Sequence, residues 1–306
     1  MAGLILLFIN NILPIVLIAG AGFALARFGK MEPRALSQTV FYLFSPCLLF
    51  NALTHSNLDS ADMLRMIGFA VTIMCICGLI AFLAGKALGF NRSLLAAVIV
   101  PAMLMNAGNY GLPLVDFAFG KEALAHASLF YVAMSLLSYS LGTLIASMGS
   151  AGLRQSLVNM VKIPTLYAAF LALVFANQGW SLPLPINRTI ELLSNATIPT
   201  MLVVLGMQLQ SARWTGQIKA LITSVSVRML VAPATALLLA PIFGLSGSAF
   251  QAGMLESAMP SAVLTIVLAT EYQAEPAFVT FVVLVSTLLS PFTLTPLMYF
   301  LGASTP

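Results

Sequence analysis

The sequence predicts an all-α integral membrane protein, with ten transmembrane helices arranged as two inverted five-helix repeats and the fourth and ninth helices broken. Three observations carry that prediction. Of 306 residues, 60% are hydrophobic and only 7% charged, against about 25% charged in an ordinary soluble domain. The few charges are spaced so that long apolar intervals lie between them. Two of the intervals are interrupted at corresponding places by clusters of Gly, Asn, Ser and Pro. Thirteen Lys and Arg with nine Asp and Glu cannot cover a water-facing surface. That excludes a cytosolic enzyme, a disulfide-stapled secreted module and a disordered chain.

A helix needs roughly 20 apolar residues to cross a hydrocarbon core of about 30 Å. Charge-free intervals run over 1–26, 35–58, 66–85, 93–115, 123–153, 163–187, 192–212, 229–255 and 276–306. The stretch 220–272 holds only Arg228, Glu256 and Glu271, and Gly244-Leu245-Ser246-Gly247 divides it in two. The expected spans are therefore 4–26, 37–53, 63–84, 93–119, 123–147, 163–178, 188–210, 219–243, 248–271 and 276–301. Continuous apolar runs of this length argue against a barrel, whose strands alternate over about ten residues. Met1 to Asn11 lacks the basic start and clean cleavage site of a secretory signal and reads as part of the first span.

Orientation follows from the basic residues. With the N-terminus outside, the cytoplasmic connections hold Arg27, Lys30, Arg34, Lys86, Arg92, Arg154, Lys162, Arg213 and Lys219, and the outside connections hold Arg65, Lys121 and Arg188. That asymmetry is the positive-inside bias, and ten spans return the C-terminus to the outside. The expected location is a bacterial cytoplasmic (inner) membrane. The net charge of +4 is accounted for by these anchors facing anionic lipid, so no nucleic-acid partner is inferred. Cys47, Cys75 and Cys77 fall inside spans, and Cys75 and Cys77 point apart on a helix, which makes them packing residues.

The basic segment 148–162 separates residues 1–147, the first five spans, from 163–306, the second five. An odd number of spans per half inverts the second half relative to the first. Prolines suggest that the halves are related. Pro14, Pro46 and Pro101 sit in spans one, two and four, and Pro164, Pro199 and Pro260 in spans six, seven and nine, at offsets of 150, 153 and 159 residues. Against this stands the general abundance of proline in membrane helices.

Span four carries the strongest local signal, Asn106-Ala107-Gly108-Asn109-Tyr110-Gly111-Leu112-Pro113, and span nine carries Glu256-Ser257-Ala258-Met259-Pro260-Ser261. Glycine weakens a helix, and proline removes a donor and clashes one turn back. In lipid such breaks survive only where the freed backbone is enclosed by protein or lines an aqueous cavity. Paired breaks in two inverted halves point to the binding site of a secondary transporter. The second half-helices expose unpaired N–H groups that favour an anion, and the unwound carbonyls ahead of them can hold a cation. Candidate substrate-contacting residues are Asn106, Gly108, Asn109, Tyr110, Pro113, Met259, Pro260 and Ser261. Tyr110 either packs on a substrate or satisfies a freed carbonyl.

At these residues the sequence resembles the auxin efflux carrier family, in its bacterial branch. The resemblance runs through Phe41-Tyr42-Leu43-Phe44-Ser45-Pro46-Cys47-Leu48-Leu49-Phe50-Asn51, the Asn106–Pro113 break, Ile198-Pro199 with Leu205-Gly206, Ala258-Met259-Pro260-Ser261-Ala262 and Ser286-Thr287-Leu288-Leu289-Ser290. It implies a ten-helix fold shared with the bile acid sodium symporters, in which spans four and nine cross at their breaks near the midplane. It also implies alternating access and small organic anions as substrates, mono- or dicarboxylates such as malonate, malate or auxin-like acids. Asn106, Asn109, Pro113 and Pro260 match the crossover motifs. The connection after span five, about 15 residues (148–162), is short as in bacterial members. The resemblance also admits a homodimer.

Two charges lie inside spans: Arg228, about nine residues into span eight, and Glu256, about nine into span nine, each roughly 13 Å deep at 1.5 Å per residue. Charges there are costly and functional by default. One reading pairs them as a structural or gating bridge. In the other, Arg228 attracts the substrate carboxylate while Glu256 binds Na⁺ or a proton, as a glutamate in the related sodium symporters does. Asp116 and His126 are expected at the outer surface, and His55 in an outer loop with Asp59 and Asp62, all solvated or interfacial. Nothing shows metal-ligand spacing, and no cofactor is expected beyond a coupling Na⁺ or H⁺. No nucleophile elbow, zinc-protease signature or second embedded aspartate is present to support an intramembrane enzyme. A channel remains the alternative to a carrier, because broken helices also build selectivity filters.

Overall fold

The computed structural model describes residues 2–56, 60–147, 162–210 and 212–303. The segment 148–161 of the expected linker, with Arg154, lies outside the described residues, as does Asp59. The described chain is helical, and its only β geometry is one isolated bridge. We number the helices α1 (Gly3–Phe28), α2 (Pro33–Thr54), α3 (Ser60–Ala87), α4 (Arg92–Met103) and α5 (Ala107–Ala146). Then follow α6 (Pro164–Gln178), α7 (Leu184–Leu209), α8 (Ile218–Leu239), α9 (Gly247–Ser257), α10 (Leu264–Glu271) and α11 (Pro276–Phe300).

Among the described residues seven helices, α1, α2, α3, α5, α7, α8 and α11, are long and apolar enough to cross a membrane. Ten were expected, and two physical features account for the difference, the breaks in spans four and nine and the shortness of span six. Span four is cut after Met103 and span nine after Ser257, leaving helices too short to count. The second half of span four and span five follow each other in one apolar stretch of 40 residues, which Gly120 divides into two helices between the expected spans. Within it Gly120 has φ 77° and ψ −166°, a conformation essentially restricted to glycine, and the helix axis breaks there. Span six, finally, is realised as 15 helical residues.

Proline sets much of the local geometry. Pro14, Pro46, Pro113 and Pro233 each stand one residue into an α-helical segment, and a π-helical turn precedes each: Phe8–Ile12, Val40–Phe44, Ala107–Gly111 and Val227–Val231. A proline ring cannot accept the normal i→i−4 ladder, and widening the preceding turn relieves the clash within a continuous helix.

Helix packing relies on small residues and buried hydroxyls. α1 and α7 touch backbone to backbone: a Cβ on Gly206 would fall 2.6 Å from the carbonyl carbon of Ala19, and one on Gly22 would fall 2.9 Å from that of Val203. Such reciprocal glycine contacts replace the hydrophobic effect, which cannot drive helix association inside lipid. α2 lies against α7, where Thr197 Oγ1 is 3.0 Å from the Phe44 carbonyl, and against α6, through the Phe50 and Phe175 rings. α8 lies against α4, where Ser224 Oγ donates to the Val98 carbonyl at 3.1 Å.

Several minor expectations are refined. Asp116 pairs with Lys121 at 2.8 Å across the Gly120 break. His55 is exposed, with Nδ1 2.9 Å from the Asn51 carbonyl. His126, expected to be solvated or interfacial, is instead buried at 4% exposure.

The α1–α7 contact makes a sharp prediction. Gly206→Ala must push two backbones apart and should destabilise the protein by about 1–3 kcal/mol, the usual range for overpacking. Gly20→Ala, with nothing within 4 Å of the added carbon, should leave the melting temperature in detergent unchanged. Equal behaviour of the two variants would refute the close approach.

Candidate functional site

The site is built from the two breaks. After α4 the chain leaves helical geometry at Leu104 (φ −98°, ψ 116°), and Asn106 (φ −80°, ψ 54°) precedes the π-helical turn that opens α5. After α9, residues 258–263 are non-helical until α10 begins. The breaks meet as an antiparallel pair centred on Met105 and Ser261. The Asn106 N–H donates to the Pro260 carbonyl at 2.8 Å, and the Ala262 N–H donates to the Leu104 carbonyl at 2.9 Å. Each unwound segment thereby satisfies groups freed by the other, which matters where an unpaired backbone group costs several kcal/mol.

Helix restarts immediately beyond. The Asn106 carbonyl accepts from the Gly111 N–H at 2.9 Å, closing the wide turn, and that widening accommodates the Pro113 ring in the helix that continues from it. Two glycines admit neighbours: a Cβ on Gly108 would lie 2.7 Å from the Tyr131 ring, and one on Gly111 would lie 2.6 Å from the Glu256 carboxyl carbon. Asn106, Gly108, Tyr110, Pro113, Met259, Pro260 and Ser261 are all buried, whereas Asn109 is partly exposed. The turn that carries Asn109 packs against α7.

α11 fastens both breaks from one side. Ser286 Oγ accepts from the Ser261 N–H at 3.2 Å, and Ser290 Oγ is 3.2 Å from the Tyr110 hydroxyl. These serines are one helical turn apart. They stand at the ends of Ser286-Thr287-Leu288-Leu289-Ser290, where the i, i+4 spacing of two hydroxyls in an apolar span was the signal for a bracing role. For Tyr110, the partner is a side chain of α11 and not a freed carbonyl.

Arg228 and Glu256 are fully buried, but they form no ion pair. Arg228 Nη1 lies 3.4 Å from the carbonyls of both Ala102 and Met103, and Nη2 donates to the Ser257 carbonyl at 2.5 Å. The guanidinium thus faces the ends of α4 and α9 together. The bridge reading is corrected accordingly: the partners of Arg228 are backbone carbonyls. Glu256 packs against Gly111, and neither of its carboxyl oxygens has a hydrogen-bond partner among the described residues. The side chains of Asn106, through Nδ2, and Ser261, through Oγ, are likewise buried and unpartnered there.

A cavity of about 840 Å³ opens between α1, α2, α7 and the region of Gly120, with Asn51, His55, Lys121, Glu191 and Asn195 in its wall. Its apolar floor includes Leu48, Pro199 and Leu202. None of the break residues lines it.

Comparison with known proteins gives a consistent result. The membrane transport protein family matches residues 7–157 and 148–299. The chain is 29% identical over 276 residues to an uncharacterized transporter of Methanocaldococcus jannaschii, covering 86% of this chain and 89% of that protein. An uncharacterized transporter of Methanothermobacter thermautotrophicus is 29% identical over 283 residues, 92% of this chain and 93% of the relative. Auxin efflux carrier component 8 of Arabidopsis thaliana is 29% identical over 122 residues, 38% of this chain and 33% of the plant protein.

The geometry separates two substitutions at adjacent positions. Tyr110→Phe removes one hydroxyl contact and should cost about 1 kcal/mol. Gly111→Ala drives a methyl group into the Glu256 carboxyl and should cost about 1–3 kcal/mol, with a correspondingly larger fall in melting temperature. A larger effect from Tyr110→Phe would contradict the packing described.

Proposed function

Because the chain belongs to the membrane transport protein family, that of the auxin efflux carriers, and is a multi-pass membrane transporter rather than an enzyme, we propose that it carries small organic anions by alternating access. The observation that carries this reading is the meeting of the two breaks. It sets the starts of α5 and α10 side by side, and each start presents first-turn N–H groups with roughly half a positive charge. An anion can be held there without placing a full cation in lipid. Substrates of this kind are mono- or dicarboxylates such as malonate, malate or auxin-like acids. The contacting residues are Asn106, Gly108, Asn109, Tyr110, Pro113, Met259, Pro260 and Ser261, with Arg228 behind them. Asn109, the partly exposed member, makes the first contact.

The same reading counts each broken helix as one span, giving ten in two inverted halves divided at residues 148–162. Reciprocal packing supports it: α1 lies on α7, and α2 lies on both α6 and α7. Thr197, two residues before Pro199, meets Phe44, two residues before Pro46, 153 positions away. That is also the offset between the two prolines. In this reading both termini lie on the outer side of a cytoplasmic membrane, which the bias of basic residues towards the opposite connections supports.

Glu256 supports a cation-coupled version of the cycle. A buried carboxyl packed on Gly111 and without a hydrogen-bond partner among the described residues offers oxygen ligands to Na⁺ or a place for a proton. In that version the anion and the cation move together.

Three measurements decide these points. Proteoliposomes should accumulate at least one of labelled malonate, malate and indole acetate, and failure with every anion under every imposed gradient would overturn the assignment. Asn109→Ala should weaken binding of the transported anion by roughly tenfold, the equivalent of about 1.4 kcal/mol, with the protein still folded. Glu256→Gln should abolish uptake driven by a sodium or proton gradient and leave substrate exchange measurable. Normal driven uptake by that variant would remove the coupling role.

A further inference from the structure

We infer that Arg228 is a tethered cation that holds the carboxyl ends of α4 and α9 together, so that the crossing needs no bound inorganic cation at those ends. The inference rests on where its donors go. The last carbonyls of any helix have no partner within the helix, and each carboxyl end carries roughly half a negative charge. At the crossing two such ends stand side by side, together close to one full negative charge in a low-dielectric setting where like charges repel strongly. One guanidinium matches that charge and touches both ends, through the carbonyls of Ala102 and Met103 on α4 and of Ser257 on α9.

Chemistry selects arginine for this place. Its planar fork carries five N–H donors fixed in direction, so one side chain can reach two carbonyls of one helix and a third on another. A lysine ammonium is a compact point charge and cannot span the same three acceptors. With Nη1 and Nη2 directed at carbonyls and only Nε unpartnered, the side chain acts on the half-helices by positioning them.

The placement of Arg228 is built in from α8. Ser224 bonds to Val98 and Arg228 to Ala102, both pairs 126 residues apart, so α8 and α4 run in register over a full turn. Arg228 lies in the π-helical turn Val227–Val231 ahead of Pro233, which ties the orientation of the guanidinium to the proline that follows it.

The test reads the protein itself and stands independently of which solute is carried. Melting temperatures are measured in detergent for wild type, R228A, R228M and R228K, with choline, sodium or guanidinium chloride at equal millimolar concentration. R228A and R228M should melt lower than wild type by roughly 5 °C or more, and R228K should recover part of the loss. Guanidinium should raise the melting temperature of R228A by binding in the vacated place, while choline should not, and wild type should gain nothing from guanidinium over choline. The inference is overturned if R228A melts like wild type, if R228K is no better than R228M, or if guanidinium gives R228A no advantage over choline. Should R228A not fold, the comparison of R228K with R228M decides alone.

Discussion

Inside a bilayer, a helix that breaks must find partners for the amide and carbonyl groups it frees, and here two breaks find them in each other. The antiparallel pair at Met105 and Ser261 is small, but the rest of the central architecture follows from it. It requires two broken helices, it fixes how they approach, and it leaves two carboxyl ends and two amino ends at one place. The carboxyl ends draw in Arg228. Ser286 and Ser290 hold the arrangement from α11. Glycines at 108 and 111 are needed because Tyr131 and Glu256 occupy the volume that a side chain would take.

Charge is the second constraint, and it is linked to the first. A chain with 7% charged residues keeps most of them near the ends of its helices. Arg228 is tolerated because three carbonyls receive it, which is the condition under which burial of an ion becomes affordable. Glu256 has no such compensation among the described residues. On this asymmetry rests the proposed division of structural work to the arginine and exchangeable work to the glutamate.

The helical class and the two breaks were legible in the sequence because both are written in composition. Apolar runs between sparse charges can only be spans, and Asn106 to Pro113 combines every residue type that interrupts a helix. Other features were hidden for identifiable reasons. The partners of Arg228 are backbone carbonyls, which every residue possesses, so no pattern of side chains announces them, whereas Glu256 looked like the natural counter-ion. The pairing, one of the two readings that the sequence leaves open, is reasonable electrostatics applied to the wrong acceptors. The contact of Gly22 and Gly206 with opposing backbones depends on helix crossing geometry. The burial of His126 depends on tertiary packing, while Gly120 turns the chain between spans four and five.

The distribution of rigidity bears on how the proposed cycle could run. The crossing is held by two backbone bonds, a guanidinium that touches both half-helices and two serines of α11, so opening it would expose several polar groups at once in lipid. Its parts should then move together. The α1–α7 contact is equally unyielding, since its glycines already place backbone against backbone. The boundary between these two stiff assemblies is where the turn with the partly exposed Asn109 packs on α7, and the cavity of about 840 Å³ opens elsewhere along α7. A change of access that preserves both assemblies must occur by displacement across this boundary. Asn109 would be carried with the crossing past α7, which gives the one partly exposed residue of the break its reason for lying there.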